Sequence, residues 1–157
     1  MNKQNILSQI INQLEADIQI AQQAVDVARD TATHKDCLGS SKYETMGTEA
    51  SYLAKGQGER LLELHHALAY FKQVQLTPSS QASLSSLVSI KNETGKQQSF
   101  WLAADAGGLK IVHEEQNITV ITPQAPLGRA LLGKKVGDVV EIKAANKSTE
   151  YEVVGIL

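Results

Sequence analysis

The chain has 157 residues, of which 42% are hydrophobic, 20% charged and only three are proline, the composition of a folded domain or two small modules and not of a multidomain enzyme or a disordered tail. Aromatic residues make up 4%, too few for the stacking platforms of sequence-tolerant nucleic-acid binders. Fifteen basic against seventeen acidic residues give a net charge of -2, which excludes a broad basic footprint on a nucleic-acid backbone. The one cysteine, Cys37, has no internal disulfide partner, and no run reaches the eighteen apolar residues of a membrane span. Polar Asn2, Gln4, Asn5, Ser8 and Gln9 interrupt the start, so it lacks a signal-peptide core and a cytoplasmic location is expected.

In chain order, apolar residues first fall at Leu7, Ile11, Leu14, Ile18, Ala21, Val25 and Ala28, alternating by four and three as a coiled-coil seam does. No Pro or Gly occurs before Gly39, so one long helix is predicted. The Gly39 to Gly47 stretch is rich in Gly, Ser and Thr and either turns the chain or starts a second helix through a serine cap. The spacing resumes at Ala50, Ala54, Leu61, Leu64, Leu68 and Phe71, with Gln57 at the missing seam position. An antiparallel hairpin of two helices, each about 45 Å long at about 1.5 Å per residue, follows. Its seam is alanine-rich toward the tip, and Gly56 and Gly58 each cost about 1 kcal/mol in helix propensity, which predicts bending or fraying there.

Thr77 to Ser83 reads as a polar linker within about 77–85, dividing a helical module at 1–76 from a second at 77–157. Short β-rich runs then appear at Leu87 to Ile90, Ser99 to Ala103, Leu109 to His113, Ile118 to Ile121, Val139 to Lys143 and Tyr151 to Ile156. Gly95, Gly107-Gly108 and Ala145-Asn146-Lys147 supply turns, and Ala130-Leu131-Leu132 suits a short helix. The fold class is α+β: a two-helix hairpin followed by a small antiparallel sheet with one helical turn on its face.

Residues Ala125-Pro126-Leu127-Gly128-Arg129-Ala130-Leu131-Leu132-Gly133-Lys134-Lys135-Val136-Gly137-Asp138-Val139-Val140 resemble the S-P-x-G-R-A-L-x-G-K-x-x-G-D-x-V signature of the Gre transcript-cleavage and elongation factors of bacterial RNA polymerase, with Ala125 in place of the serine. The resemblance extends over the whole chain. It implies an FKBP-like C-terminal domain that docks on the rim of the polymerase's secondary channel, and a helical hairpin that reaches down the channel toward the active site. Docking residues implied by it are Pro126, Gly128, Arg129, Ala130, Leu131, Gly133 and Lys134. Arg129 is the one whose guanidinium suits bidentate pairing with a partner carboxylate.

Cleavage-stimulating members resemble one another at the tip, where D-x-x-E-N-x-E-Y presents two carboxylates that help hold a second Mg²⁺ in the polymerase. Ser41-Lys42-Tyr43-Glu44-Thr45-Met46-Gly47-Thr48 aligns with it and keeps only Glu44 as an acid. Ser41, Tyr43, Glu44 and Asp36 are thus the candidate tip residues, with Glu44 and Asp36 as Mg²⁺ ligands shared with the polymerase; Glu49 is the nearest downstream acid. The chain is expected to have no cofactor of its own, to contact nascent RNA only indirectly, to be a monomer away from membranes, and not to be an enzyme. It would modulate elongation or transcript cleavage, or alternatively occupy the channel as an inhibitor. Two other classes stay open: a proline isomerase using Phe100, Trp101 and Tyr151, and a plain coiled-coil interaction protein. His34, Asp36 and Cys37 form a weak zinc pattern, and His65 and His66 read as exposed helix residues.

Overall fold

A computed structural model describes the backbone of residues 1–33 and 41–157, with side chains described outside 31–51. By contact the chain divides into two compact units, Met1–Ile10 with Tyr70–Leu157, and Ile11–Ala69.

The second unit is the helical hairpin, cut from α1 (Lys3–Thr33) and α2 (Ser41–Lys72). Leu14, Ala21, Val25 and Ala28 of α1 are buried, as is Leu64 of α2, so the alternation by fours and threes marks the seam on α1; on α2 the predicted Ala54, Leu61 and Leu68 are half-buried, and Ala67, outside the pattern, is buried instead. The helices run antiparallel: Asp17, Ile20 and Ala21 share a groove with Arg60 and Leu64, whereas Val27 and Ala28 share one with Leu53. Gln57 is half-buried at the position where the apolar spacing skips. α2 runs as one helix through Gly56 and Gly58. Glycine weakens a helix without removing any backbone hydrogen bond, so neighbouring turns carry it across. Ile18 is only half-buried, and Ile11, at the border of the other unit, is likewise.

The first unit is built on a six-stranded sheet, β1 (Leu87–Asn92), β2 (Gln97–Leu102), β3 (Lys110–His113), β4 (Gln116–Ile121), β5 (Val139–Ala144) and β6 (Lys147–Ile156), in the order β3-β4-β2-β1-β6-β5. All six predicted β-runs are present. Every ladder is antiparallel except one: β2 and β4 pair in parallel, Ser99 opposite Ile118 through Leu102 opposite Ile121. The chain leaves β2, places β3 at the edge, and returns through a hairpin to lay β4 between them, which fixes β4 in the direction of β2. That hairpin turns on Glu114 and Glu115, both at positive φ, as a two-residue primed turn requires.

Strand alternation gives the sheet two buried faces. One carries Val88, Ile90, Leu102, Ile121, Val140 and Val153, covered by Leu131 of the short helix α3 (Pro126–Leu131) and by Ala82. The other carries Leu87, Trp101, Ile111, Ile118 and Val120, each at most 6% exposed. Onto this face come the first turns of α1: Lys3 lies 5.9 Å from the Trp101 ring centroid, and the Gln9 side chain meets His113 Nδ1 at 3.0 Å. Ile6 and Ile10 are fully buried as a result, which explains why the base of α1 hides a stripe that the seam alone does not contain. Burial in this setting pushes the Lys3 ammonium below its ordinary 10.5. The Tyr70 hydroxyl accepts from the Ala104 amide at 3.1 Å, tying the end of α2 to the loop after β2.

Candidate functional site

Two regions carry the residues singled out from the sequence, the hairpin tip and the signature segment. At the tip, α2 begins at Ser41, so Ser41, Tyr43 and Glu44 lie in its opening turns with helical backbone. Residues 34–40, on which the choice between a turn and a serine cap depends, lie outside the described residues. Asp36, His34 and Cys37 lie outside the described residues. His65 and His66 are both exposed on α2. Among the described residues, no three His, Cys, Asp or Glu side chains are grouped closely enough to hold a metal ion.

The signature segment is fully described and divides into inward and outward residues. Pro126 occupies the first turn of α3, where its missing N–H is no loss. Ala125 sits at the N-cap in extended geometry, φ -74° and ψ 143°, and supplies no capping side chain. Gly128 is buried against the preceding loop: a Cβ there would lie 2.1 Å from the Thr122 carbonyl oxygen and 2.8 Å from its carbon. Leu131 is 0% exposed in the core, and Ala130 is half-buried against it. Gly133, at φ +78°, ends the helix and donates its N–H to Ala82 O at 2.7 Å. The Lys134 carbonyl accepts the Ala82 N–H at 2.7 Å, so this stretch is stitched to residue 82 on both sides.

Of the seven docking residues implied by resemblance, Gly128 and Leu131 thus face inward and serve the fold. Pro126 and Arg129 are exposed, and Lys134 is half-exposed. Arg129 lies in the last turn of α3, where a cation also complements the helix carbonyls. It is carried on a short helix whose position is fixed by the close approach of Gly128 to Thr122 and by the burial of Leu131.

The turn after Gly133 is a feature that residue patterns alone did not single out. Asp138 Oδ2 accepts the Lys135 N–H at 2.8 Å, and the Asp138 N–H closes the turn on Lys135 O at 3.0 Å. Gly137, at φ +95°, takes the left-handed position. Lys135 and Val136 are exposed on it, Val136 by 59%. The G-D spelling was the available signal for this turn.

The aromatic residues do not assemble a proline pocket. Trp101 is fully buried on the α1 side of the sheet, whereas Phe100 and Tyr151 pack on the α3 side. No helix among the described residues is long and apolar enough to cross a membrane. On the hairpin, Ile20, Val27 and Leu53 are 57–67% exposed along a groove of about 440 Å³ that also includes Ala24 and Gln57.

Residues 77–157 match the family described as transcription elongation factor, GreA/GreB, C-term. The transcription elongation factor GreA of Thermotoga maritima is 28% identical over 126 residues, covering 78% of this chain and 73% of the relative. That of Thermosipho melanesiensis is 30% identical over 126 residues, covering 77% and 72%. Among solved structures, the GreA factor homolog 1 (Gfh1) protein of Thermus thermophilus aligns over 98% of this chain and 93% of its own, at 22% identity and a TM-score of 0.38.

Proposed function

Because the chain belongs to the GreA/GreB transcription elongation factor family, we propose that it binds bacterial RNA polymerase through the α3 segment and inserts its hairpin tip into the secondary channel, thereby modulating elongation or transcript cleavage. The observation that carries this reading is the division within the signature: its glycines and Leu131 build a rigid support, and Arg129 is left exposed on top of it. A guanidinium carried on a fixed backbone suits two parallel hydrogen bonds to a carboxylate on the partner. The protein performs no chemistry of its own in this account. Any hydrolysis belongs to the polymerase, and contact with nascent RNA is indirect.

The donor set at the tip favours occupancy over assisted cleavage. Two carboxylates are what a weakly held Mg²⁺ asks for, because this hard cation prefers charged oxygen ligands. Ser41 offers a neutral hydroxyl where the family pattern has aspartate, beside the cationic Lys42, and Glu44 is the one acid retained at the motif positions. These residues do not fit a shared magnesium, and no catalytic step is derived through one. The protein then acts as a slim body filling the channel, with an inhibitory effect on factors that need the same path.

Backtracked elongation complexes test this directly. Wild-type protein is expected to leave the RNA length unchanged while slowing cleavage by an active Gre factor. A Ser41→Asp variant restores the second carboxylate and is expected to gain some RNA shortening. Strong shortening by the wild type, lost in Glu44→Gln, would instead establish assisted cleavage.

A further inference from the structure

The positions that the signature specifies account for the support, and those it leaves open hold a second exposed feature. In G-K-x-x-G-D-x-V the first two open positions are Lys135 and Val136. Both lie on a turn whose backbone is fixed from several directions. Asp138 closes it through its side chain at 2.8 Å and its N–H at 3.0 Å. Gly137 N–H donates to Val153 O at 2.8 Å, and Val153 N–H returns to Asp138 O at 2.8 Å. Lys135 also bridges to Gln81. On this immobilised turn Val136 remains 59% exposed. A valine has essentially one stiff torsion, so seating it against a partner sacrifices little freedom.

Cations lie close to it in the sequence. Arg129 and Lys135 are exposed and Lys134 is half-exposed within an eight-residue segment of a chain whose net charge is -2. The acid that follows this segment, Asp138, has one carboxylate oxygen accepting the Lys135 N–H. An apolar side chain with cations beside it in the chain is complementary to an apolar recess bordered by carboxylates. Val139 makes a useful contrast: it is 57% exposed, but its neighbour Val140 enters the α3-side core, so Val139 stands on the opposite face of the sheet.

We infer that Val136, flanked by Lys135, is an apolar anchor that seats in a carboxylate-bordered recess of the polymerase and sets this chain's affinity for its own enzyme. This rests on the docking proposed above for Arg129, and extends the contact surface from α3 to the turn that follows it.

Equilibrium titration of full-length, fluorescently labelled protein against core RNA polymerase tests the inference, with Trp101 emission and circular dichroism recorded for each variant. Val136→Asp is expected to weaken binding about tenfold or more, and the isosteric Val136→Thr, which leaves the turn intact, about threefold. Lys135→Ala is expected to lose a few-fold and to flatten the salt dependence. Val139→Asp is expected to bind within about twofold of wild type. If Val136→Asp and Val136→Thr both bind like wild type while Arg129→Glu does not, the anchor is refuted and the docking reading stands. If wild type itself fails to bind core polymerase, both fall together.

Discussion

Gly128 is the position where the structure makes its sharpest energetic statement. An added Cβ would meet the Thr122 carbonyl oxygen at 2.1 Å, the Thr122 carbon at 2.8 Å and the Pro123 nitrogen at 3.4 Å. Ordinary contact begins near 3.4 Å, so the oxygen is more than 1 Å too close, and it belongs to backbone that cannot swing aside as a side chain does. Thr122 O is also the acceptor for the Ala125 N–H at 3.0 Å, in the turn that leads into α3. Moving it loosens that turn, and moving α3 instead draws Leu131 from the core. Overpacking of this kind costs typically 1–3 kcal/mol, and with a backbone obstacle the upper end, about 3 kcal/mol, is expected for Gly128→Ala. Urea unfolding followed by the emission of Trp101, the single tryptophan and fully buried, reads the sheet-containing unit directly. A midpoint for Gly128→Ala equal to that of wild type would refute the packing described for α3.

Three further outcomes are expected. Ala125→Ser places a hydroxyl at an N-cap of suitable extended geometry that now has no side-chain cap, and should raise stability by about 1 kcal/mol in the same urea assay. Gly56→Ala and Gly58→Ala introduce a Cβ with nothing within 4 Å and should each stabilise the hairpin by about 0.5–1 kcal/mol, visible as a later loss of helical circular dichroism on heating. Burial lowers the Lys3 pKa, so in the window between that lowered value and 10.5 the unfolded chain binds more protons than the folded one. Stability contributed at Lys3 therefore rises with pH through that window. Lys3→Met removes this component, and its stability difference from wild type should drift in the direction favouring wild type as pH climbs toward 10.5.

The hairpin and the strands were legible because their signals are local. Alternation by fours and threes names the buried Leu14, Ala21, Val25 and Ala28 without knowledge of the partner helix, and turn residues separate most of the strands, the Glu114-Glu115 turn between β3 and β4 being the exception. What escaped was set by neighbours distant in sequence. Ile6 and Ile10 are buried by the sheet, which the seam pattern has no means of anticipating, and the parallel direction of β4 beside β2 depends on where β3 lies. The candidate site divides in the same way. Arg129 could be singled out from residue type and resemblance. The inward roles of Gly128 and Leu131 needed the position of Thr122 and the core, and the exposure of Val136 needed the turn that Asp138 closes. Asp36 lies outside the described residues, so its relation to Glu44 stays with the sequence.

The central claim is that α3 presents Arg129 to RNA polymerase. Its most direct test is capture of core polymerase by immobilised full-length protein, wild type against Arg129→Glu, with Trp101 emission used to verify that both are folded. Retention by the wild type and loss in the variant, at equal stability, is the predicted result, since a glutamate reverses the charge without touching the core behind it. Equal retention by both would contradict the claim and place the contact elsewhere on the molecule.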